Sequence, residues 1–160
     1  MLRPALIACM LMTTALPGAA QNVAFGGIQA DTSAPVEMSA DNLTVNQADG
    51  SAVFTGNVII AQGEMKLQAG EVTVIYAEGG QQRIESLKAT GGVTLASGTD
   101  AAEAQEALYE VETGMIDLTG DVIMTQGQNV LTGDKMRVNL ADGTAQAQGR
   151  VRTVLQPGGN

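Results

Sequence analysis

The fold of this chain is decided by a ten-residue stretch that occurs twice, as FTGNVIIAQG at residues 54–63 and as LTGDVIMTQG at residues 118–127. Two weaker copies are TGGVTL at residues 90–95 and QGRVRTVL at residues 148–155. Apolar and polar residues alternate within these copies, which is typical of a β-strand. Four copies indicate a repeated structural unit.

A second alternating segment precedes each copy, at residues 41–45, 71–76, 107–111 and 135–140. Turn residues join the two segments in three of the units, at Asp49-Gly50, Thr113-Gly114 and Asp142-Gly143. Glycine adopts the positive φ that tight hairpins require. The unit is therefore strand, turn, strand, and its repetition predicts an antiparallel all-β domain.

One segment departs from this scheme. Residues 100–106 have a helix-forming composition, with Asp100 as a possible N-cap and Glu103 three residues later. A helical turn is one interpretation of this segment. The position in the repeat instead predicts a strand, at least over Ala107–Val111.

The parity of each strand assigns its side chains to faces. One face is almost entirely aliphatic and is predicted to point inward. The residues predicted to line this interior are Leu43, Val45, Phe54, Val58, Ile60, Met65, Leu67, Val72, Val74, Tyr76, Leu87, Val93, Leu95, Tyr109, Ile116, Leu118, Val122, Met124, Met136, Val138, Leu140 and Val151.

This apolar face has two interpretations. It is the packed core of an ordinary β-sandwich, or it is a trough that holds hydrocarbon. Aliphatic and thioether side chains adapt to flexible acyl chains, and burial stabilises such a chain by about 0.8 kcal/mol per CH₂. Gly56, Gly91, Gly120 and Gly149 lie within the strands, where glycine usually marks a bulge or bend. We interpret them as bends rather than as ligand contacts.

The N-terminus has the features of a secretory signal at residues 1–20. Arg3 precedes an apolar run at residues 5–16, and Gly18-Ala19-Ala20 supplies small residues for cleavage. An uncleaved anchor and a lipoprotein modified at Cys9 are the alternatives. We expect residues 21–36 to be a flexible linker, residues 37–156 the β-domain and residues 157–160 a disordered tail.

Composition excludes several classes of function. The 160 residues include no His and a single Cys, which falls in the predicted signal. Sites of the Ser-His-Asp and Cys-His types are therefore excluded. Seventeen acidic side chains against eight basic ones give a net charge of −9, which opposes nucleic-acid binding. A carboxylate-based glycosidase or lyase remains an alternative, although the chain has no Trp to stack on sugars.

The motifs resemble those of the LptA/OstA-like family of lipopolysaccharide transport proteins. The resemblance rests on residues 54–58, 118–122, 131–136 and 149–155 and on the leading segment at residues 37–41, and it extends over residues 36–156. It implies a twisted antiparallel β-jellyroll with an apolar groove, no catalysis and no cofactor. A membrane-anchored LptC-like protein of the same fold and an exported β-helix or adhesin are the other possibilities.

The resemblance also implies partners. Proteins of this family stack head to tail and join an LptC-like inner-membrane protein to an LptD-like outer-membrane protein, while lipopolysaccharide acyl chains move through the groove. Basic residues collect near the C-terminus, and the rest of the chain is acidic. This asymmetry suggests that charge attraction contributes to head-to-tail stacking. The basic group consists of Lys135, Arg137, Arg150 and Arg152.

Overall fold

The computed structural model describes residues 28–79 and 82–157. It contains eleven strands that form one antiparallel sheet. The strands are β1 (Glu37–Ser39), β2 (Asn42–Val45), β3 (Ala52–Gln62), β4 (Met65–Tyr76), β5 (Ile84–Ser97), β6 (Asp100–Ala104), β7 (Glu106–Glu110), β8 (Met115–Gln126), β9 (Asn129–Asn139), β10 (Thr144–Gln148) and β11 (Arg152–Val154).

The short strands come in pairs, and the two members of each pair lie one after the other along the same long neighbouring strand. β1 and β2 both pair with β3, β6 and β7 both lie between β5 and β8, and β10 and β11 both pair with β9. All these pairings are antiparallel, as predicted. A β-helix would stack parallel strands, so that alternative is wrong. The segment at residues 100–106, which allowed a helical turn, is extended instead: residues 100–104 form β6, which pairs with β5 and β8, and β7 begins at Glu106.

A line of glycines crosses the middle of the sheet. Gly56, Gly91, Gly120 and Gly149 all have positive φ, between 73° and 91°. The pairing register shifts between Thr55 and Val58 on β3 and again between Thr119 and Val122 on β8. A third shift, between Ala69 and Glu71 of β4, lies opposite Gly91. The pairing is therefore irregular at Gly56, Gly91 and Gly120, as expected for bulges, and Gly149 lies in the bend between β10 and β11. The residues that follow three of them, Asn57, Asp121 and Arg150, share the positive φ.

Side chains clamp these bends in the same way in three places. The Asn57 amide donates to the Asp41 carboxylate at 2.8 Å, and the Gln105 amide donates to the Asp121 carboxylate at 3.3 Å. Arg150 donates through Nε to Asp134 at 2.8 Å. The third clamp is an ion pair, and Asp134 holds the pKa of the Arg150 guanidinium above its usual value through a hydrogen bond and charge attraction.

The bends fold the sheet onto itself. β5 has 14 residues, which would extend about 46 Å if straight. Nevertheless, the Gln29 carbonyl accepts from Ser97 Oγ at 2.6 Å at one end of the strands. The Gln29 side chain also lies within 2.8 Å of where a Cβ on Gly143 would be, in a turn at the other end. Both ends of the strands must therefore meet near residue 29.

The two halves of the folded sheet are called leaf 1 and leaf 2. Leaf 1 holds β1, β6, β11 and residues 57–69, 92–98 and 122–133. Leaf 2 holds β2, β7, β10 and residues 52–55, 71–76, 84–90, 111–119 and 135–143. Their inward faces form one apolar core. The side where the turns of both leaves meet is called the mouth.

Three predicted segments fall wholly or partly outside the described residues. The predicted signal, residues 1–20, lies outside them, as does most of the predicted tail. Of the predicted linker, only residues 28–36 are described. They form no strand, but Ile28 is buried in the core and the Ala30 N–H donates to the Leu140 carbonyl at 2.9 Å. Residue 28 onward is thus packed against the sheet.

Candidate lipid-binding interior

Most of the residues predicted to line the interior are brought together there. Those with at most 3% exposure are Val58, Ile60, Met65, Leu67, Val72, Val74, Leu87, Val93, Leu95, Tyr109, Ile116, Leu118, Val122, Met124, Met136, Val138 and Leu140. Phe54 and Tyr76 are partly buried and pack against this cluster. They come from both leaves, so the interior is enclosed by two facing apolar surfaces.

Leu43, Val45 and Val151 were also expected inside, and that expectation is wrong. Their exposures are 55%, 49% and 50%. Leu43 and Val45 lie on edge strand β2, directly opposite Phe54 and Ala52 of β3. They have the inward parity, but no strand covers them beyond the sheet edge. Val151 occupies the corresponding place at the other edge, just before β11. These residues mark the two open ends of the interior.

Some interior residues were missed at the sequence level. Leu131 is 4% exposed, and it shares the parity of Gly133 in an alternating segment that would have identified it. Gln62 is 1% exposed and follows Val58 and Ile60 with the same parity. Ile28 is 2% exposed, and no periodic pattern surrounds it. Only the tertiary fold places Ile28 inside.

The interior contains few polar groups. In the described part of the chain, the buried polar residues are Gln62, Ser86, Ser97 and Asp100. The Tyr109 hydroxyl donates to Gln62 Oε1 at 2.5 Å, which links leaf 2 to leaf 1. Gln62 Nε2 in turn donates to the Thr32 and Ala34 carbonyls at 3.2 and 3.0 Å. The remaining surface offers a ligand only apolar contact.

Burial raises the pKa of Tyr109, and the hydrogen bond with Gln62 opposes that rise. The folded-state pKa therefore lies above the unfolded value of about 10. The stability that neutral Tyr109 contributes is fully present below that value and is lost as the pH rises toward the folded pKa. Ionisation of this hydroxyl would put a charge inside the apolar interior.

We expect Tyr109→Phe to lower the free energy of unfolding by about 1–3 kcal/mol, because it leaves Gln62 Oε1 buried without its donor. It should also remove part of the alkaline loss of stability that begins above about pH 10. Urea unfolding of both proteins across this range measures the difference. An equal alkaline slope in the two proteins would show that Tyr109 ionises without cost.

The basic group near the C-terminus is partly used within the chain. Arg137 donates through Nε and Nη2 to the two oxygens of Asp117, at 2.7 and 2.8 Å, directly across from it on β8. Arg150 is held by Asp134, as described above. The suggestion that charge drives head-to-tail stacking therefore has to rest on Lys135 and Arg152.

Among the described residues, no helix has the length and apolarity that a membrane crossing needs.

The fold and its interior define the class of this protein: a folded-over β-jellyroll whose apolar interior opens at both sheet edges. A family model described as LptA/(LptD N-terminal domain) LPS transport protein matches residues 37–144. The chain belongs to this family.

Individual relatives agree with the family assignment. An uncharacterised protein of Rhizobium meliloti is 32% identical over 82% of this chain and 76% of its own length. Lipopolysaccharide export system protein LptA of Escherichia coli is 29% identical over 81% of this chain and 75% of its own. LPS-assembly protein LptD of Salmonella typhimurium is 46% identical over 61 residues, which are 37% of this chain and 8% of that protein.

A solved structure shares the fold. The crystal structure of LptH from Pseudomonas aeruginosa, described as the LptA homologous periplasmic component of the lipopolysaccharide transport device, has a TM-score of 0.70 to this chain. The identity is 21%, and the match covers 80% of this chain and 99% of LptH. This likeness confirms the predicted β-jellyroll.

Proposed function

We propose that this protein is a non-enzymatic periplasmic carrier that shields lipopolysaccharide acyl chains on their way from the inner to the outer membrane. The observation that carries the proposal is the apolar core between the two leaves, beside which the described residues leave Leu43, Val45 and Val151 exposed at the two sheet edges. Membership of a lipopolysaccharide transport family supports it. Export of the chain with cleavage near Ala20 is part of this proposal.

The interior suits flexible hydrocarbon better than a rigid ligand. Its lining is aliphatic apart from Tyr109, Phe54 and Tyr76, and Met65, Met124 and Met136 can change rotamer to follow an acyl chain. In the structure these side chains are packed against one another. An acyl chain would therefore bind by replacing contacts between the leaves with contacts to itself.

Photo-crosslinking in cells tests this function. A photoreactive residue at Phe54, Leu118 or Val138 should capture lipopolysaccharide, because these side chains point into the interior. The same residue at Thr44 or Arg137, which are exposed on strands β2 and β9, should capture several-fold less. Equal capture at both sets of positions would contradict an interior site.

We also propose head-to-tail self-association and end-on contact with LptC-like and LptD-like partners. The exposed apolar residues at the two open ends support this, with Leu43 and Val45 at one end and Val151 and Leu155 at the other. β2 is an edge strand, and such strands readily pair with another chain. A second copy placed end to end would cover both features and continue the interior.

Leu43→Asp should weaken concentration-dependent association about ten-fold, since it places a charge in the apolar end contact. Thr44→Asp is the matched control, because it adds the same charge to the opposite face of β2. Sedimentation velocity over a concentration series measures both variants. An unchanged association constant for Leu43→Asp would exclude this end as the contact.

A further inference from the structure

Residues 28–34 run across the mouth of the jellyroll and contact both leaves; they are called the strap. On leaf 1, the Gln29 carbonyl accepts from Ser97 Oγ, and the Thr32 and Ala34 carbonyls accept from Gln62. On leaf 2, the Ala30 N–H donates to the Leu140 carbonyl. The strap precedes residues 37–144, which the family model matches.

The strap puts an apolar side chain into the interior. Ile28 is 2% exposed and belongs to the same core cluster as the residues of the two leaves. It reaches this place from outside the sheet, because no strand holds residues 28–36. Ile28 therefore occupies, from the mouth, volume in the interior that hydrocarbon would fill.

An open cleft lies beside the strap. Its volume is about 600 Å³, and it is lined by strap residues 29–31 together with residues 63–64 and 97–100 of leaf 1 and Ala141 of leaf 2. The strap thus lines this cleft through residues 29–31 and contributes Ile28 to the apolar interior. Beside this cleft, the hydrogen bonds of the strap join it to Ser97 of leaf 1 and to Leu140 of leaf 2.

We propose that the strap covers a lateral entrance for acyl chains and that Ile28 holds the position of the first methylene groups to enter. This inference rests on the proposed lipid-carrier function and names the place where lipid crosses into the interior. The strap leaves leaf 2 when lipid enters and stays attached to leaf 1.

The contacts of the strap explain why it would separate from leaf 2 rather than from leaf 1. Its C-terminal end continues into β1, which pairs with residues 59–61 of leaf 1. Three of the hydrogen bonds described above also join it to leaf 1, and one joins it to leaf 2. Segments held by few hydrogen bonds open locally at a lower free energy than the sheet itself. Lipid needs to replace only the Ile28 burial and the contacts with leaf 2.

A disulfide that ties the strap to leaf 2 tests this entrance. A Cβ on Gly114 would lie 3.1 Å from Thr32 Cγ2, and across a disulfide the Cβ of one cysteine is roughly 3 Å from the sulfur of the other. We would combine Thr32→Cys and Gly114→Cys in the full chain, with Cys9→Ala to remove the natural thiol. Each single-cysteine variant is the control for strain at that position.

The probe is an uncharged fluorescent palmitoyl ester, with purified lipopolysaccharide as competitor. The oxidised double variant should bind the probe at least about ten-fold more weakly than the reduced one, because the lock removes the open population. Dithiothreitol should restore binding, and the single variants should not respond to it. If the oxidised and reduced forms bound the probe equally well, the proposed entrance would be contradicted, but the proposed carrier function would not. If neither redox state of the double variant nor the parent protein bound the probe, both the carrier function and the entrance would be overturned.

Ile28→Ala gives a second readout that does not depend on a disulfide. A strap that merely stabilises the fold would lower the melting temperature on truncation and leave probe affinity unchanged or weaker. A displaceable cover predicts several-fold tighter binding despite the lower melting temperature, because less apolar contact has to be replaced. Val36→Ala, which truncates a partly buried residue beyond the strap, is the control. If Ile28→Ala bound the probe no more tightly than this control, the proposal would be overturned.

Discussion

Replacing Leu118 by aspartate is expected to remove about 5 kcal/mol from the free energy of unfolding and to leave much of the protein unfolded. Leu118 is 1% exposed and belongs to the core between the leaves. An unpaired carboxylate at such a place costs several kcal/mol, which is a large part of the total stability of a small domain. Urea unfolding followed by circular dichroism measures the loss.

Thr119→Asp is the matched control for this substitution. It introduces the same charge one residue later on β8, on the exposed face and directly opposite Lys135. Its effect should stay within about 0.5 kcal/mol. If Leu118→Asp were as stable as Thr119→Asp, the interior would have to be open to water, and the proposed shielding of acyl chains would fail with it.

Gly120→Ala should cost about 3 kcal/mol of stability. The φ of Gly120 is +91°, and an added Cβ would lie 2.8–2.9 Å from three carbon atoms of the Gln105 side chain. The left-handed backbone alone costs an L-residue about 1–2 kcal/mol, and displacing Gln105 adds to that by disturbing its bond with Asp121. The substitution therefore acts on the bend that brings the leaves together.

Gly127→Ala separates the two contributions to this cost. Gly127 also has a positive φ, +57°, but nothing lies within 4 Å of an added Cβ. We expect it to lose about 1 kcal/mol. Thermal or urea unfolding of both variants gives the difference, which measures the close approach at the bend. Equal losses would mean that Gln105 moves aside without cost and that the bend tolerates a side chain.

The sequence allowed the strands and most of the interior to be predicted because a strand exposes its faces with a period of two. The odd or even numbering of the inward residues was also predicted correctly across the bends. On β4 the inward residues change from odd numbers, at Leu67, to even numbers, at Val72, across Gly70. The register shift between Ala69 and Glu71 explains this change. The glycine bends were predicted because glycine within a strand usually marks a bulge or bend.

Parity failed at the sheet edges. Leu43, Val45 and Val151 have the right parity for the interior, and yet they are exposed because burial also requires a facing leaf. A local pattern contains no information about which strand ends a sheet. The composition of residues 100–106 left helix and strand both open for a related reason. Pairing of β6 with β5 and β8 supplies backbone hydrogen bonds on both sides, and these outweigh a weak intrinsic preference for helix.

By itself, the sequence determined the class of secondary structure, the bends and the apolar character of one face, because these follow from residue type and spacing along the chain. Only the tertiary structure decided which ends of that face stay open, that Tyr109 meets Gln62 across the interior, and that Ile28 enters at the mouth. These contacts join residues far apart in the chain, such as Gln29 with Ser97 and Gly143. They exist only because the folded sheet brings both ends of its strands to one place.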